Sequence, residues 1–256
     1  MTITLLQQDI VWGNIQANHD KAHEAILAAP KSDLYVLPEM WSTGFATSPA
    51  EIAEDDQQSL SWMKAMANQL NAAIAGSVAT KVGNSFFNRF YFVKPKQNNG
   101  SNEVCFYDKH HLFLGEKSNY RAGNNRVIVS WRGVRFLLQV CYDLRFPIFA
   151  RNAESCDTDA YDVALYPASW PSVRREPWDI LLKARAIENQ CYVCGINRVG
   201  NDPSCNYNGG TVIIDAYGRT VAACEDNKEC WISAEINLDK LEAFRTKFPV
   251  LKDRDK

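Results

Sequence analysis

LLQVCYDLRFP, residues 137–147, sets strand-forming apolar residues directly against a polar turn, and the break falls on Cys141. A cysteine inside a strand is an ordinary core residue. One at a strand exit is held at the edge of a sheet, where open α/β folds place their sites. Pro147 suits a helix start, and a helix beginning there would aim free N–H groups and its positive end at the sulfur, favouring the thiolate. These eleven residues alone leave a second reading open, a buried structural thiol.

Working outward, similar apolar runs recur along the chain: TITLLQQ (2–8), DLYVLPE (33–39), AIAGSVA (73–79), FFNRFYFV (86–93), EVCFYDK (103–109), RVIVSW (126–131), VRFLLQV (134–140), DVALYPAS (162–169), CYVCGIN (191–197), GTVIID (210–215) and ECWISAEI (229–236). Their length and their content of β-branched and aromatic residues read as strands. Residues 15–29, after Asn14 as a cap, and 57–72 carry apolar residues at helical spacing. A third helix is expected over 177–190, with Pro177 in its first turn and Asp179 near its positive end. A fourth is expected after Pro147. Strand–helix–strand order at both ends, with consecutive strands between, predicts an α/β fold with a mixed sheet covered by helices. No linker composition or repeat divides residues 1–256, so one domain is expected, with QNNGSN (97–102) as a hairpin loop.

Charge narrows the function. With 28 Lys and Arg against 30 Asp and Glu the formal charge is −2, so no field recruits nucleic acid or an anionic membrane surface. No apolar run reaches the roughly 20 residues that cross a bilayer. Met1 runs into TITLLQQDIVWG without the layout of a signal peptide, so the chain is expected to be cytoplasmic and its eight cysteines mostly reduced. Cys191 and Cys194 form a C-x-x-C, but on a strand they face opposite ways, and no second pair or nearby histidine completes a ligand set. They are expected to be buried thiols.

A nucleophilic cysteine needs a base. His19 and His23 lie among charged residues on the first helix and are expected on its solvated face; one of the adjacent His110 and His111 should face the core and the other solvent. A carboxylate is the alternative. Glu39 closes the run DLYVLPE, and Lys109 closes EVCFYDK. Singly, each reads as an ordinary solvated charge at a strand end. Together with Cys141 they could meet at one sheet edge, with Glu39 accepting the thiol proton and Lys109 and the Tyr142 N–H holding an oxyanion.

LPEMWSTGF, YDKHHLF and LLQVCYDLRFP, in that order, resemble the three motifs of the nitrilase superfamily, carbon–nitrogen hydrolases with a Glu-Lys-Cys triad. YPASWP (166–171), WDILLKARAIENQCYVCGINRVG (178–200) and FRTKFP (244–249) extend the likeness, toward the omega-amidase branch, over nearly the whole chain. The resemblance implies a four-layer αββα sandwich, a homodimer, no metal or organic cofactor, and a small amide substrate with a far-end carboxylate. It also implies a further active-site glutamate, matched by Glu116, and a position beside the nucleophile for Trp170, which could equally be core. Arg174 is a candidate for the substrate carboxylate, or else a surface residue. Asp143 and Arg145 are expected to pair with each other, and Asn208-Gly209-Gly210 to leave its loop flexible. A nitrilase, an N-carbamoyl hydrolase or a catalytically silent scaffold remain the alternatives.

Overall fold

The computed structural model describes residues 1–256 except Asp56, Asn98, Asn99, Ser155, Asp255 and Lys256. In chain order the elements are β1 (Thr2–Gln7), α1 (Ile15–Ala28), β2 (Leu34–Val36), α2 (Gln58–Leu70), β3 (Ala73–Val82), β4 (Ser85–Val93), β5 (Val104–Asp108), β6 (Val127–Trp131), β7 (Val134–Leu138) and β8 (Val163–Ala168). They continue with α3 (Arg175–Asn189), β9 (Tyr192–Asn197), β10 (Val199–Asn201), β11 (Asn206–Asn208), β12 (Val212–Ile214), β13 (Thr220–Ala223), β14 (Cys230–Glu235) and α4 (Leu238–Lys247).

Two six-stranded sheets form, in the orders β14-β1-β2-β3-β4-β5 and β13-β12-β9-β8-β7-β6. In each, the parallel strands (β1-β2-β3 and β7-β8-β9) are flanked by antiparallel ones. The period of two along a strand sorts the first sheet's side chains. Ile3, Leu5, Val36, Ala75, Phe90 and Phe92 face the second sheet, where Phe92 meets Phe136 at 5.5 Å between ring centroids. Leu6, Tyr35, Leu37, Ile74 and Tyr91 face outward onto Ile26, Met63 and Met66 of α1 and α2. On the far side of the second sheet, Trp178, Leu182 and Ala186 of α3 pack closely enough that a Cβ on Gly195 would meet Leu182 at 2.5 Å. The layers are therefore helix, sheet, sheet, helix, as expected. Strands covered on both faces need no polar alternation, which is why their runs read as continuously apolar. Each large side chain so buried contributes about 1.5–3 kcal/mol of transfer free energy.

Asn14 caps α1, its side chain accepting the Ala17 N–H at 3.0 Å, and Pro177 lies in the first turn of α3. β4 and β5 pair antiparallel as a hairpin, although Asn98 and Asn99 of its loop lie outside the described residues. One expected helix is absent: residues 147–150 form a turn, and the helical geometry sits instead at Cys141–Arg145, a short 3-10 turn ahead of Pro147. The proline limits the residue before it to extended backbone, which ends that turn. His19 is also not solvated. It is buried between Trp41 and Trp62, with Nε2 2.8 Å from the Ser59 hydroxyl. His110 and His111 are both half-buried rather than divided between core and solvent.

Candidate active site

Three strands deliver the triad candidates from their carboxyl ends. Glu39 follows β2 by way of Leu37 and Pro38, Lys109 follows β5, and Cys141 follows β7, so the first two come from one sheet and the third from the other. All three side chains are buried, Glu39 and Lys109 completely. Lys109 Nζ donates to Oε1 of Glu39 at 2.8 Å and to Oε2 of Glu116 at 2.7 Å. Asn88 Nδ2 donates to Oε1 of both carboxylates, at 2.8 Å and 2.9 Å. The Ser169 N–H donates to Oε2 of Glu39 at 2.8 Å, and the Phe113 N–H to Oε2 of Glu116 at 2.8 Å. Two carboxylates thus share one ammonium away from water, an arrangement stable only when nearly every polar atom is satisfied.

The charges act on one another in consistent directions. Burial opposes the Lys109 ammonium, but Glu116 and Glu39 outweigh it and hold its pKa well above the usual lysine value. Burial pushes the Glu116 carboxyl up, against the pull of Lys109 and with the repulsion of Glu39. Burial also pushes the Cys141 thiol well up; Glu39, which hydrogen-bonds the thiol, raises it further, and Lys109 opposes. This corrects the expected thiolate. With no helix starting behind it, the sulfur lacks the positive helix end that would favour the thiolate, and burial together with Glu39 favours the thiol.

Cys141 itself takes φ of +45°, a left-handed conformation that costs a residue with a Cβ about 1–3 kcal/mol and that clusters at functional sites. Asp143 holds the turn in that shape. Its carboxylate accepts from the Val140 N–H at 2.9 Å, the Tyr107 hydroxyl at 2.8 Å and the His111 N–H at 2.9 Å. The Tyr142 N–H belongs to the second residue of the 3-10 turn, where the first N–H groups lack partners within the turn.

Cys141 opens into a cavity of about 330 Å³. Tyr142, Ser169, Trp170 and Arg174 line it, as do Phe45, Phe113, Leu114, Arg145, Pro171, Cys205 and Tyr207. Trp170 is both buried and a cavity wall, pinned by its N–H to Asn197 Oδ1 at 2.8 Å and by Nε1 to the Arg174 carbonyl at 2.6 Å. Arg145 does not pair with Asp143 as expected. It lies over the Trp170 ring at 4.9 Å, and Arg174 over Phe113 at 5.3 Å; among the described residues neither guanidinium has an ion-pair partner. The Asn208–Gly210 segment is pinned, not flexible: Gly209 N–H reaches the Arg198 carbonyl at 3.1 Å, and Asn197 Nδ2 and Trp178 Nε1 reach the carbonyls of Gly209 and Gly210 at 2.7 Å and 2.9 Å. Gly209 (φ +85°) lies so close to the Gln7 side chain that a Cβ would sit 2.5 Å from its Oε1.

Contributors that escaped the sequence reading include Asn88, the N–H groups of Ser169 and Phe113, the place of Arg145 in the cavity, and Tyr207. Asn88 leaves a trace, a polar residue in the middle of FFNRFYFV, and Arg145 stands near the cysteine in the sequence but is expected there to pair with Asp143. Cys191 and Cys194 are buried thiols as expected, the Cys191 pKa pushed up to about 12 by burial, and no metal-ligand cluster occurs among the described residues.

The model of the carbon-nitrogen hydrolase family matches residues 2–246. The chain is 43% identical to "Omega-amidase YafV" of Yersinia enterocolitica, covering all of this chain and 97% of that protein. It is 36% identical to "2-oxoglutaramate amidase" of Bacillus subtilis, over 98% and 96% of the two chains. Among solved structures it is similar to XC1258 of Xanthomonas campestris, a CN-hydrolase superfamily protein with an arsenic adduct in its active site. The TM-score is 0.93 at 36% identity, over 100% of this chain and 97% of that one. A family match along nearly the whole sequence, with full-length relatives at such identities, makes the chain a member of the carbon-nitrogen hydrolase family, within the nitrilase superfamily.

Proposed function

We propose that this hydrolase is an omega-amidase, converting the terminal amide of a small dicarboxylate monoamide, such as 2-oxoglutaramate or 2-oxosuccinamate, to the 2-oxo diacid and ammonia. One observation carries the reading: a single cavity is lined by a thiol that has a carboxylate and an ammonium behind it, and by two guanidiniums without ion partners among the described residues. The first set suits acyl transfer, and the second suits a substrate carboxylate, which arginine meets bidentately. The likeness to proteins named omega-amidase and 2-oxoglutaramate amidase supports the same substrate class.

In the mechanism, the Cys141 sulfur attacks the carboxamide carbon while Glu39 takes the thiol proton, so no free thiolate has to exist beforehand. The Lys109 ammonium and the Tyr142 N–H hold the oxyanion. Glu39 returns the proton to the departing nitrogen, ammonia leaves, and Glu39 then activates the water that hydrolyses the thioester. Each proton transfer is worth about 10²–10⁴ in rate. Glu116 stays out of the proton traffic and keeps Lys109 charged. Arg145 and Arg174 orient the far carboxylate.

The proposal includes one catalytic unit over residues 1–256, a cytoplasmic setting and a homodimer. Eight free cysteines support a reducing compartment, and among the described residues no helix is long and apolar enough to cross a membrane. Ile180 and Ile187, one heptad apart and exposed on α3, support a surface for a second copy. Ammonia release from omega-amides, nitriles and ureido acids tests the activity. Omega-amides with a free far carboxylate should be hydrolysed fastest, and faster release from nitriles or ureido acids would replace this reading with one of those chemistries.

A further inference from the structure

Asparagine is a poor strand former, yet Asn88 sits within β4, between Phe87 and Arg89, and is completely buried. Its side chain touches both carboxylates of the buried cluster. Its Nδ2 bridges Oε1 of Glu39 and Oε1 of Glu116, and its backbone carbonyl accepts the backbone N–H of Lys109 at 2.9 Å. Chemistry fixes the orientation of the amide, because turning it over would aim its oxygen at two carboxylate oxygens. That orientation leaves Asn88 Oδ1 buried without a partner among the described residues. A side chain selected for packing would satisfy both ends, as buried polar groups generally do.

We propose that Asn88 is a positioning residue that keeps a proton from being trapped between Glu39 and Glu116. The inference rests on the reading of Glu39 as the base. The two Oε1 atoms flank the Asn88 amide, and two carboxylates facing one gap bind a shared proton strongly, since both cannot stay ionised side by side. The amide fills that gap with two N–H donors and has no acceptor pointed into it. Oε1 of Glu39 is then occupied by Lys109 and Asn88, while Oε2 receives the Ser169 N–H and, among the described residues, no other N–H. The open acceptor position of the base lies on Oε2, and the Cys141 proton is taken there.

Removing the donor should let solvent supply the trapped proton, which silences Glu39 in acid. The experiment is the pH dependence of kcat/KM for 2-oxoglutaramate in wild type, Asn88→Ala, Asn88→Ser and Glu39→Gln, with thermal melts of each. The other titratable groups facing the two carboxylates are Lys109, Cys141 and Tyr120, and both Asn88 variants keep all three. In Asn88→Ala the acid limb should move up by about one pH unit or more, a tenfold loss at a fixed pH on that limb. KM should stay within about threefold, because Asn88 does not touch substrate. Asn88→Ser, with one donor for two acceptors, should fall between, and it carries the test if Asn88→Ala does not fold. An acid limb unmoved in the folded variants, with Glu39→Gln inactive, overturns the role of Asn88 alone. Turnover surviving in Glu39→Gln overturns the underlying assignment of the base.

Discussion

Lys109→Met keeps the aliphatic stem of the lysine and deletes its charge, which strands two buried carboxylates. The ammonium is completely buried and makes bonds of 2.8 Å and 2.7 Å to Glu39 and Glu116. Removing one partner of a buried ion pair costs about 3–5 kcal/mol, because the remaining charge is left uncompensated. At about 2–4 °C per kcal/mol for a chain of this size, the melting temperature should fall by about 6–20 °C at neutral pH. Adding Glu116→Gln removes one stranded charge, so the double variant should melt several degrees above the single one. Its activity should not return: the missing oxyanion donor alone costs about 10²–10³ in kcat. The sign of the pH dependence follows from Glu116, whose pKa is already raised by burial and would rise further without Lys109. A raised carboxyl stabilises the fold while protonated and loses that contribution as pH rises through its folded pKa, so Lys109→Met should be least destabilised in acid. Calorimetric melts across pH, paired with ammonia release, measure both. A single variant melting within about 2 °C of wild type at neutral pH would refute the idea of a coupled buried charge cluster.

Arg145→Leu and Arg174→Leu should each raise KM for an omega-amide by about tenfold to a hundredfold, the worth of a charge-assisted bond, with kcat changed much less; steady-state kinetics returning unchanged KM values in both would remove the arginines from substrate binding. Ile180→Glu should shift the protein to the monomer in sedimentation equilibrium if α3 meets a second copy, and an unchanged mass would exclude that surface. His19 has its pKa lowered by burial, with Glu54 and Asp20 opposing. Its neutral form therefore contributes stability that is present above the ordinary value near 6.5 and lost as pH falls toward its folded pKa. Urea midpoints should drop over that window in wild type and drop less in His19→Gln; equal slopes would exclude this contribution.

The runs that became β1 to β9, β12 and β14 were legible from their β-branched and aromatic content, those at the centre of each sheet being apolar throughout because both faces are covered, and the turns after Glu39, Lys109 and Cys141 were legible because a reactive residue type sat at each exit. Order along the chain could not show that two sheets supply one site. The helix expected after Pro147 failed for a local reason: Asp143 caps a turn that begins on the cysteine itself, and the proline ends it. His19 misled because its neighbours in sequence are charged while its neighbours in space are Trp41 and Trp62. Arg145 and Asp143 are near enough in sequence to suggest a pair, but the 3-10 turn sends the carboxylate inward to Tyr107 and His111 and the guanidinium over Trp170. The Ser169 contribution is a backbone N–H and has no side-chain signature at all. α4 is short and half its residues are charged, so the spacing of Leu238, Leu241 and Phe244, its positions against the core, was too brief to announce a helix.

Covalent catalysis by Cys141 is tested most directly by following ammonia release from 2-oxoglutaramate with Cys141→Ala at enzyme concentrations high enough to register a single turnover. No release above the uncatalysed rate is expected, with the melting temperature close to that of wild type. Ammonia released by that folded variant at a measurable fraction of the wild-type rate would contradict the mechanism.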